Sequence, residues 1–148
     1  MDKIFRKAVR TYLIKDGKVV VIKYKTHDEG FFDIPGGKIE NGETSEETSA
    51  REFREETGIT VLKQHYIGHS VVEYPDRIYD FDVFVVDEHA GEPAEFEENY
   101  SMWMNIEDLF KEKVFPSVMM IKDLKDGMDV RVECDTDHNI KSYTVYSK

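Results

Sequence analysis

Cysteine is nearly absent from this chain. Cys134 is the single one in 148 residues, which excludes an internal disulfide framework and suits a reducing, cytoplasmic setting. With no histidine motif beside it to suggest a nucleophile, Cys134 reads as a structural strand residue. Apolar runs are also short, far from the roughly 20 residues a bilayer-spanning helix needs, so a transmembrane helix is excluded and no membrane partner is expected. The opening Met1-Asp2-Lys3-Ile4-Phe5-Arg6-Lys7 lacks the apolar stretch a secretory signal requires. Positive charge is scarce: 20 Lys and Arg stand against 31 Asp and Glu, a formal charge of −11. Without a basic stripe to displace counterions, a nucleic-acid polymer is not an expected partner. A small nucleotide is not excluded, because bound divalent cations can reverse the local sign for an incoming polyphosphate.

What is present is enough apolar residue, 40% of the chain, to bury one substantial core, so residues 1–148 read as a single domain. Alternating patterns over residues 7–14 and 18–24 flank Lys15-Asp16-Gly17, where Asp-Gly marks a hairpin turn. The polar stretch 25–30 reads as the rim of a site, and 31–34 leads into Pro35-Gly36-Gly37. Further strands are expected over 60–69, 70–73 and 77–86, with a loop over 87–93. Asn105 can cap a short helix, and Pro116 can open another that Gly127 ends. The tail alternates through Val130, Val132 and Cys134, then Tyr143 and Val145, a closing hairpin about Asp137-His138-Asn139.

One segment carries chemistry. Thr44 and Ser45 can start a helix, Glu46 and Glu47 favour the positive end of its dipole, and Gly58 can end it after about three turns. Glu52, Glu55 and Glu56, three and four positions apart, share one narrow face. Ala50, Phe53 and Thr57 point towards a core, and Arg51 can pair with Glu47 or Glu55 one turn away. Three carboxylates on one face repel by a few tenths of a kcal/mol per neighbouring pair, which a hard divalent cation would offset. An oxygen-only donor set suits Mg²⁺ or Mn²⁺, and no Cys and His cluster suggests zinc. The glycines of Ile34-Pro35-Gly36-Gly37-Lys38 allow a tight turn and close backbone approach just ahead of this helix.

From Gly37 to Ile59 the chain reads G-x5-E-x7-R-E-F-x-E-E-x-G-I, with Gly37, Glu43, Arg51, Glu52, Glu55, Glu56 and Gly58 at preset positions. It resembles the Nudix box, and the chain is identified by it as a member of the Nudix hydrolase superfamily, closest in size to MutT-like enzymes. The one departure is Phe53, where a bulky aliphatic residue is commoner. The resemblance implies an α+β Nudix fold, a mixed β-sheet sandwiched between α-helices. It implies metal binding by Gly36 through its carbonyl and by Glu52, Glu55 and Glu56. It adds Glu98, five residues before Trp103, with Glu97 as runner-up; Trp103 itself reads as core. Glu52 or Glu55 is the expected general base. Gly37, Glu43, Arg51 and Gly58 are expected to shape the box.

Lys23 is expected to face the box and neutralise a phosphate, with Lys38 a weaker candidate. The resemblance makes Asp33 and Phe115-Pro116 candidates for touching a base, on which Phe32 or Tyr79 could stack. It implies a Mg²⁺-dependent hydrolase giving a nucleoside monophosphate and pyrophosphate from a triphosphate, oxidised purines included. Pro75, sixteen residues past the box, is associated with ADP-ribose hydrolases, and an ADP-ribose or other nucleotide-sugar pyrophosphatase is the competing expectation. A dinucleoside polyphosphate hydrolase is matched less well, since Tyr74 and Tyr79 fall on either side of the expected tyrosine. A non-catalytic nucleotide-binding module is the alternative of another class, disfavoured because every box glutamate is present. Many relatives dimerise, so a homodimer is a further expectation.

Overall fold

The computed structural model describes residues 2–146. The larger of two sheets comprises β1 (Ile4–Tyr12), β5 (Gly36–Lys38), β6 (Thr60–Glu73), β7 (Arg77–Ala90), β9 (Met128–Cys134) and β10 (Ile140–Val145), in the order β10-β9-β6-β7-β1-β5. It is mixed: β1 runs parallel to β7 and β6 parallel to β9, while the other pairings are antiparallel. The smaller sheet is built on β3 (Lys18–Tyr24), flanked by β2 (Ile14–Lys15), β4 (Phe32–Asp33) and β8 (Asn99–Asn105). Helix α1 (Ser45–Thr57) packs on one face of the large sheet. The short helices α2 (Ile106–Leu109) and α3 (Pro116–Met119) lie on the other, where Leu109 and Val118 join the main core. This is the α+β class the sequence indicates.

Helix α1 forms for local reasons. Thr44 is its N-cap: the side chain accepts from the Glu47 N–H at 3.1 Å while Glu47 accepts from the Thr44 N–H at 3.0 Å, a reciprocal capping box. Gly58 ends it at φ 81°, a left-handed conformation that glycine enters at little cost, with its N–H donated to the Arg54 carbonyl. Phe53 is fully buried against Val20, Leu13, Ile59 and Val86, contributing about 1.5–3 kcal/mol. Ala50 is only half-buried, contrary to expectation; Thr48 and Ser49 take the inward places, because Ser49 Oγ meets Thr11 Oγ1 at 2.6 Å and Gln64 Oε1 at 2.6 Å.

Strand β3 is a wall shared by two cores. The Asp16-Gly17 turn has both residues at positive φ (53° and 74°) and sets the pairing Ile14↔Val19 and Lys15↔Lys18. Strict alternation then turns Val20 towards α1 and Val19 and Val21 towards the main core.

Several boundaries differ from the sequence reading. Residues 60–73 form one strand rather than two, because Gly68 at φ 147° absorbs an irregularity without ending the pairing. Strand β7 extends through Ala90, into the stretch expected as a loop, since Thr60↔Ala90 and Val61↔His89 continue the ladder. After Pro116 one helical turn passes into a 3₁₀ turn (Met120–Asp123), and Leu124, extended at ψ 117°, stops it before Gly127. Trp103 packs partly buried beside the α1 core, its Nε1 donating to Glu92 at 3.0 Å.

Candidate active site

The C-terminal half of α1, the end of β3 with the loop after it, and the segment before β8 form an acidic cavity of about 570 Å³ lined by Glu52, Glu55, Glu56, Glu97 and Glu98 with Tyr24 and His27. Helical spacing brings the first three together, as the sequence indicates. Their environments differ. Glu56 is enclosed behind the turn, where Oε1 accepts the Gly36 N–H at 2.9 Å, and burial pushes its carboxyl up to about 8. Burial also raises Glu52, against the opposing pull of Arg51 at 3.0 Å. Glu55 has its side chain 59% exposed.

Arg51 organises this face through a partner outside the helix. Its guanidinium grips Glu43 bidentately, Nε to Oε2 at 2.6 Å and Nη2 to Oε1 at 2.9 Å, and its Nη1 reaches Glu52 at 3.0 Å and Glu55 at 3.1 Å. The expected pairing with Glu55 is there. The expected alternative, Glu47, is occupied in the capping box instead. The Arg51 hydrogen bond holds the Glu43 carboxyl at about 2.

Both glycines of the turn sit where a side chain has no room. A Cβ on Gly37 would meet the Glu52 carboxyl carbon at 2.5 Å, and one on Gly36 would fall on the Val9 carbonyl oxygen. The backbone therefore approaches the carboxylates at closest range. Among the described residues no three His, Cys, Asp or Glu side chains converge into a finished cage. The donor set nevertheless fits a hard cation: it is all oxygen, lines one cavity, and Mg²⁺ keeps several waters and needs few protein ligands.

A second cavity, of about 210 Å³, adjoins the first, with Tyr24 and His27 lining both. Its walls are aromatic (Tyr74, Tyr79, Phe81, Phe115), and Asp33 and Arg10 lie within. Asp33 is fully buried. It accepts from the Ile34 N–H at 2.7 Å, the Tyr24 hydroxyl at 3.0 Å and Arg10 Nη2 at 3.4 Å. Burial raises its carboxyl, which those three donors oppose.

Thus Glu52, Glu55, Glu56 and Glu98 line the first cavity, with Gly36 and Gly37 against Glu56 and Glu52, and Asp33, Phe115 and Pro116 line the second. Gly58 serves at the end of α1. Lys23 is not brought to the box. It lies on the Val19–Val21 side of β3, its Nζ 5.2 Å from the centre of the Phe32 ring, because the hairpin register gives the α1 side to Val20 and, two residues apart, to Ile22 and Tyr24. Lys38 is exposed and lines neither cavity. Phe32 is core, while Tyr79 does line the second cavity; Pro75 is exposed in the β6–β7 turn. Sequence reasoning missed Arg10, Tyr24, Arg77 and His138, which only long-range strand pairing brings to this cavity.

A family model described as the NUDIX domain matches residues 4–123. The chain belongs to the Nudix family. Nudix hydrolases in general depend on a divalent metal, in keeping with the oxygen donors of the first cavity. A zebrafish (Danio rerio) Nudix relative, "Oxidized purine nucleoside triphosphate hydrolase", is 33% identical over 100 residues, covering 66% of this chain and 64% of its own. An "ADP-ribose pyrophosphatase" of Methanocaldococcus jannaschii is 34% identical over 105 residues, 64% of this chain and 61% of its own. The chain thus spans less than two thirds of the length of these curated relatives. The crystal structure of a MutT protein from Bacillus halodurans superposes with a TM-score of 0.79 over 95% of this chain and 97% of that one, at 21% identity, a shared Nudix fold.

Proposed function

We propose that this chain acts as a single-domain, Mg²⁺- or Mn²⁺-dependent pyrophosphohydrolase of purine nucleoside triphosphates, oxidised purines included, releasing the monophosphate and pyrophosphate. The observation that carries the reading is the pair of adjoining cavities sharing Tyr24 and His27: one acidic and oxygen-lined, the other aromatic with a buried carboxylate. A triphosphate spans both, its base against Phe115 and Asp33 and its phosphates beside the α1 glutamates. The activity in the zebrafish relative's name supports the same substrate class.

Glu52, Glu55, Glu56, Glu98 and the Gly36 carbonyl are the assigned cation ligands. The cation, when bound, neutralises phosphate charge and acidifies a water. Glu52 or Glu55 accepts the proton of the attacking water as the water oxygen bonds to phosphorus, and the bridging oxygen leaves with its electron pair. Arg51 holds both carboxylates from one side, and Glu43 fixes Arg51. The proposal includes a cytoplasmic setting and a small-molecule substrate. Among the described residues no helix is long and apolar enough to cross a membrane.

The test is product analysis with Mg²⁺ over unmodified and 8-oxo-purine triphosphates, ADP-ribose and dinucleoside polyphosphates. Pyrophosphate plus monophosphate from a purine triphosphate is expected, with kcat falling 10²–10⁴-fold in Glu52→Gln or Glu55→Gln, whichever is the base. AMP released from ADP-ribose alone would transfer the assignment to the activity named for the M. jannaschii relative. Silence across the panel would leave a nucleotide-binding module.

A further inference from the structure

Strands β9 and β10 lie beyond the stretch 4–123 that the family model matches, yet the tip of their hairpin reaches back into the aromatic cavity. Asp135 builds that tip, accepting from the Asp137 and Asn139 backbone N–H groups at 2.8 and 3.0 Å. The tip delivers His138, which is only 8% exposed. Its Nδ1 meets the Tyr74 hydroxyl at 2.7 Å and its Nε2 meets Asp28 Oδ1 at 3.1 Å. An ionised Asp28 can only accept, so Nε2 carries a proton, and in the neutral ring Nδ1 accepts from Tyr74. The imidazole also stacks on Phe115, with centroids 4.0 Å apart and planes 25° apart.

Two residues 110 positions apart thus meet in the wall of the cavity, and both are non-glycine residues with positive φ, 45° at Asp28 and 67° at His138. Strain of this kind persists only where the surroundings over-determine it, and it clusters at ligand clamps. Both ends of one hydrogen bond carry it here.

We propose that His138 is a positioning residue for the base: its bond to Asp28 clasps the 25–30 rim loop to the C-terminal hairpin, and its ring holds Phe115 as a flat stacking wall, selecting purine over pyrimidine triphosphates. This rests on the reading of the aromatic cavity as the base site. A purine offers the larger face to a stacked wall, so loosening the wall costs it more than a pyrimidine.

The experiment compares dGTP and dCTP as substrates of the full chain with Mg²⁺. His138→Gly removes the ring; glycine's ease in the left-handed backbone offsets part of the lost stack and hydrogen bonds, so a lowered Tm with the fold kept is expected. His138→Phe keeps the stack and loses both hydrogen bonds. The expected result is a KM for dGTP about tenfold higher in His138→Gly, about 1.4 kcal/mol, and a smaller rise in His138→Phe. The KM for dCTP and both kcat values should stay within about twofold. Adding Asp28→Gly to His138→Phe should raise the KM no further, since the clasp is already open. Equal losses for both bases, a fall in kcat at constant KM, or an additive double variant would overturn the proposal. If His138→Gly fails to fold, His138→Phe decides alone by the same split. An unaltered enzyme that does not prefer dGTP removes the base-site reading itself; one that prefers it, with variants that prefer it equally, removes only His138.

Discussion

Replacing Glu56 by glutamine isolates the cost of a buried carboxylate. Glutamine keeps the oxygen that accepts from Gly36, so the hydrogen bond at 2.9 Å survives and only the charge is lost. The Glu56 carboxyl is raised from 4.5 to about 8 by burial, offset in part by Gly36 and Arg10. A folded-state value above the unfolded one means that the native chain holds the proton more tightly. Without metal, stability contributed by the protonated group is therefore full below about pH 4.5 and is lost as pH rises towards 8. At 1.36 kcal/mol per unit the ceiling is about 5 kcal/mol. Glu56 opens partly to the acidic cavity, where water screens it, so roughly half of that is expected. The assay is denaturant unfolding in EDTA from pH 4.5 to 9 for both proteins. Subtracting one curve from the other removes Glu43, Asp28 and the other carboxylates that titrate in both. The glutamine variant should gain on the parent from about pH 4.5 to about 8 and hold that gain above it. Curves that stay parallel would refute the reasoning, because Glu56 would then be ionised at no cost and so not enclosed as described.

Cation binding should run the other way: since a ligand carboxylate must be deprotonated, Mg²⁺ should raise the parent's Tm more at pH 8 than at pH 6, and a pH-independent shift would place the ion elsewhere. Arg51→Ala frees Glu43, Glu52 and Glu55 from a shared guanidinium, and kcat should fall 10- to 100-fold with a far smaller change in Tm, measured by kinetics beside thermal melting. Gly36→Ala puts a methyl into the Val9 backbone and should cost about 1–3 kcal/mol on denaturant unfolding. Gly37→Ala meets only the movable end of Glu52, so it should keep the fold and lose activity.

How much of this was legible in the sequence follows from how local each feature is. The cap at Thr44, the stop at Gly58 and the shared face of Glu52, Glu55 and Glu56 follow from spacings of three and four, and the structure repeats them. The Arg51–Glu43 grip was only half legible. Both residues stood out in the motif, but Glu43 precedes the helix, so no helical offset relates the two. Lys23 went astray by a single step of alternation, since the face of a strand follows from its hairpin register and Ile14↔Val19 was not readable in advance. Arg10 and His138 were out of reach: Arg10 sits on β1, whose partner β7 begins at Arg77, and His138 hangs from β9, paired in parallel with β6. Periodicity describes one strand at a time and says nothing of which strands lie side by side.

The parallel ladder between β1 and β7 also sets an order of assembly. Ile4 pairs with Arg77 and Tyr12 with Val85, so the first strand waits for more than seventy residues of chain before its partner exists. Such pairings incur loop-closure entropy before any contact rewards it, and they slow folding. Helix α1, by contrast, has both caps within its own neighbourhood. A chain emerging from the ribosome can therefore form the carboxylate helix early while the cavity beside it stays open-walled. The last wall arrives with residue 138, so a truncated or stalled product carries the box and no finished pocket.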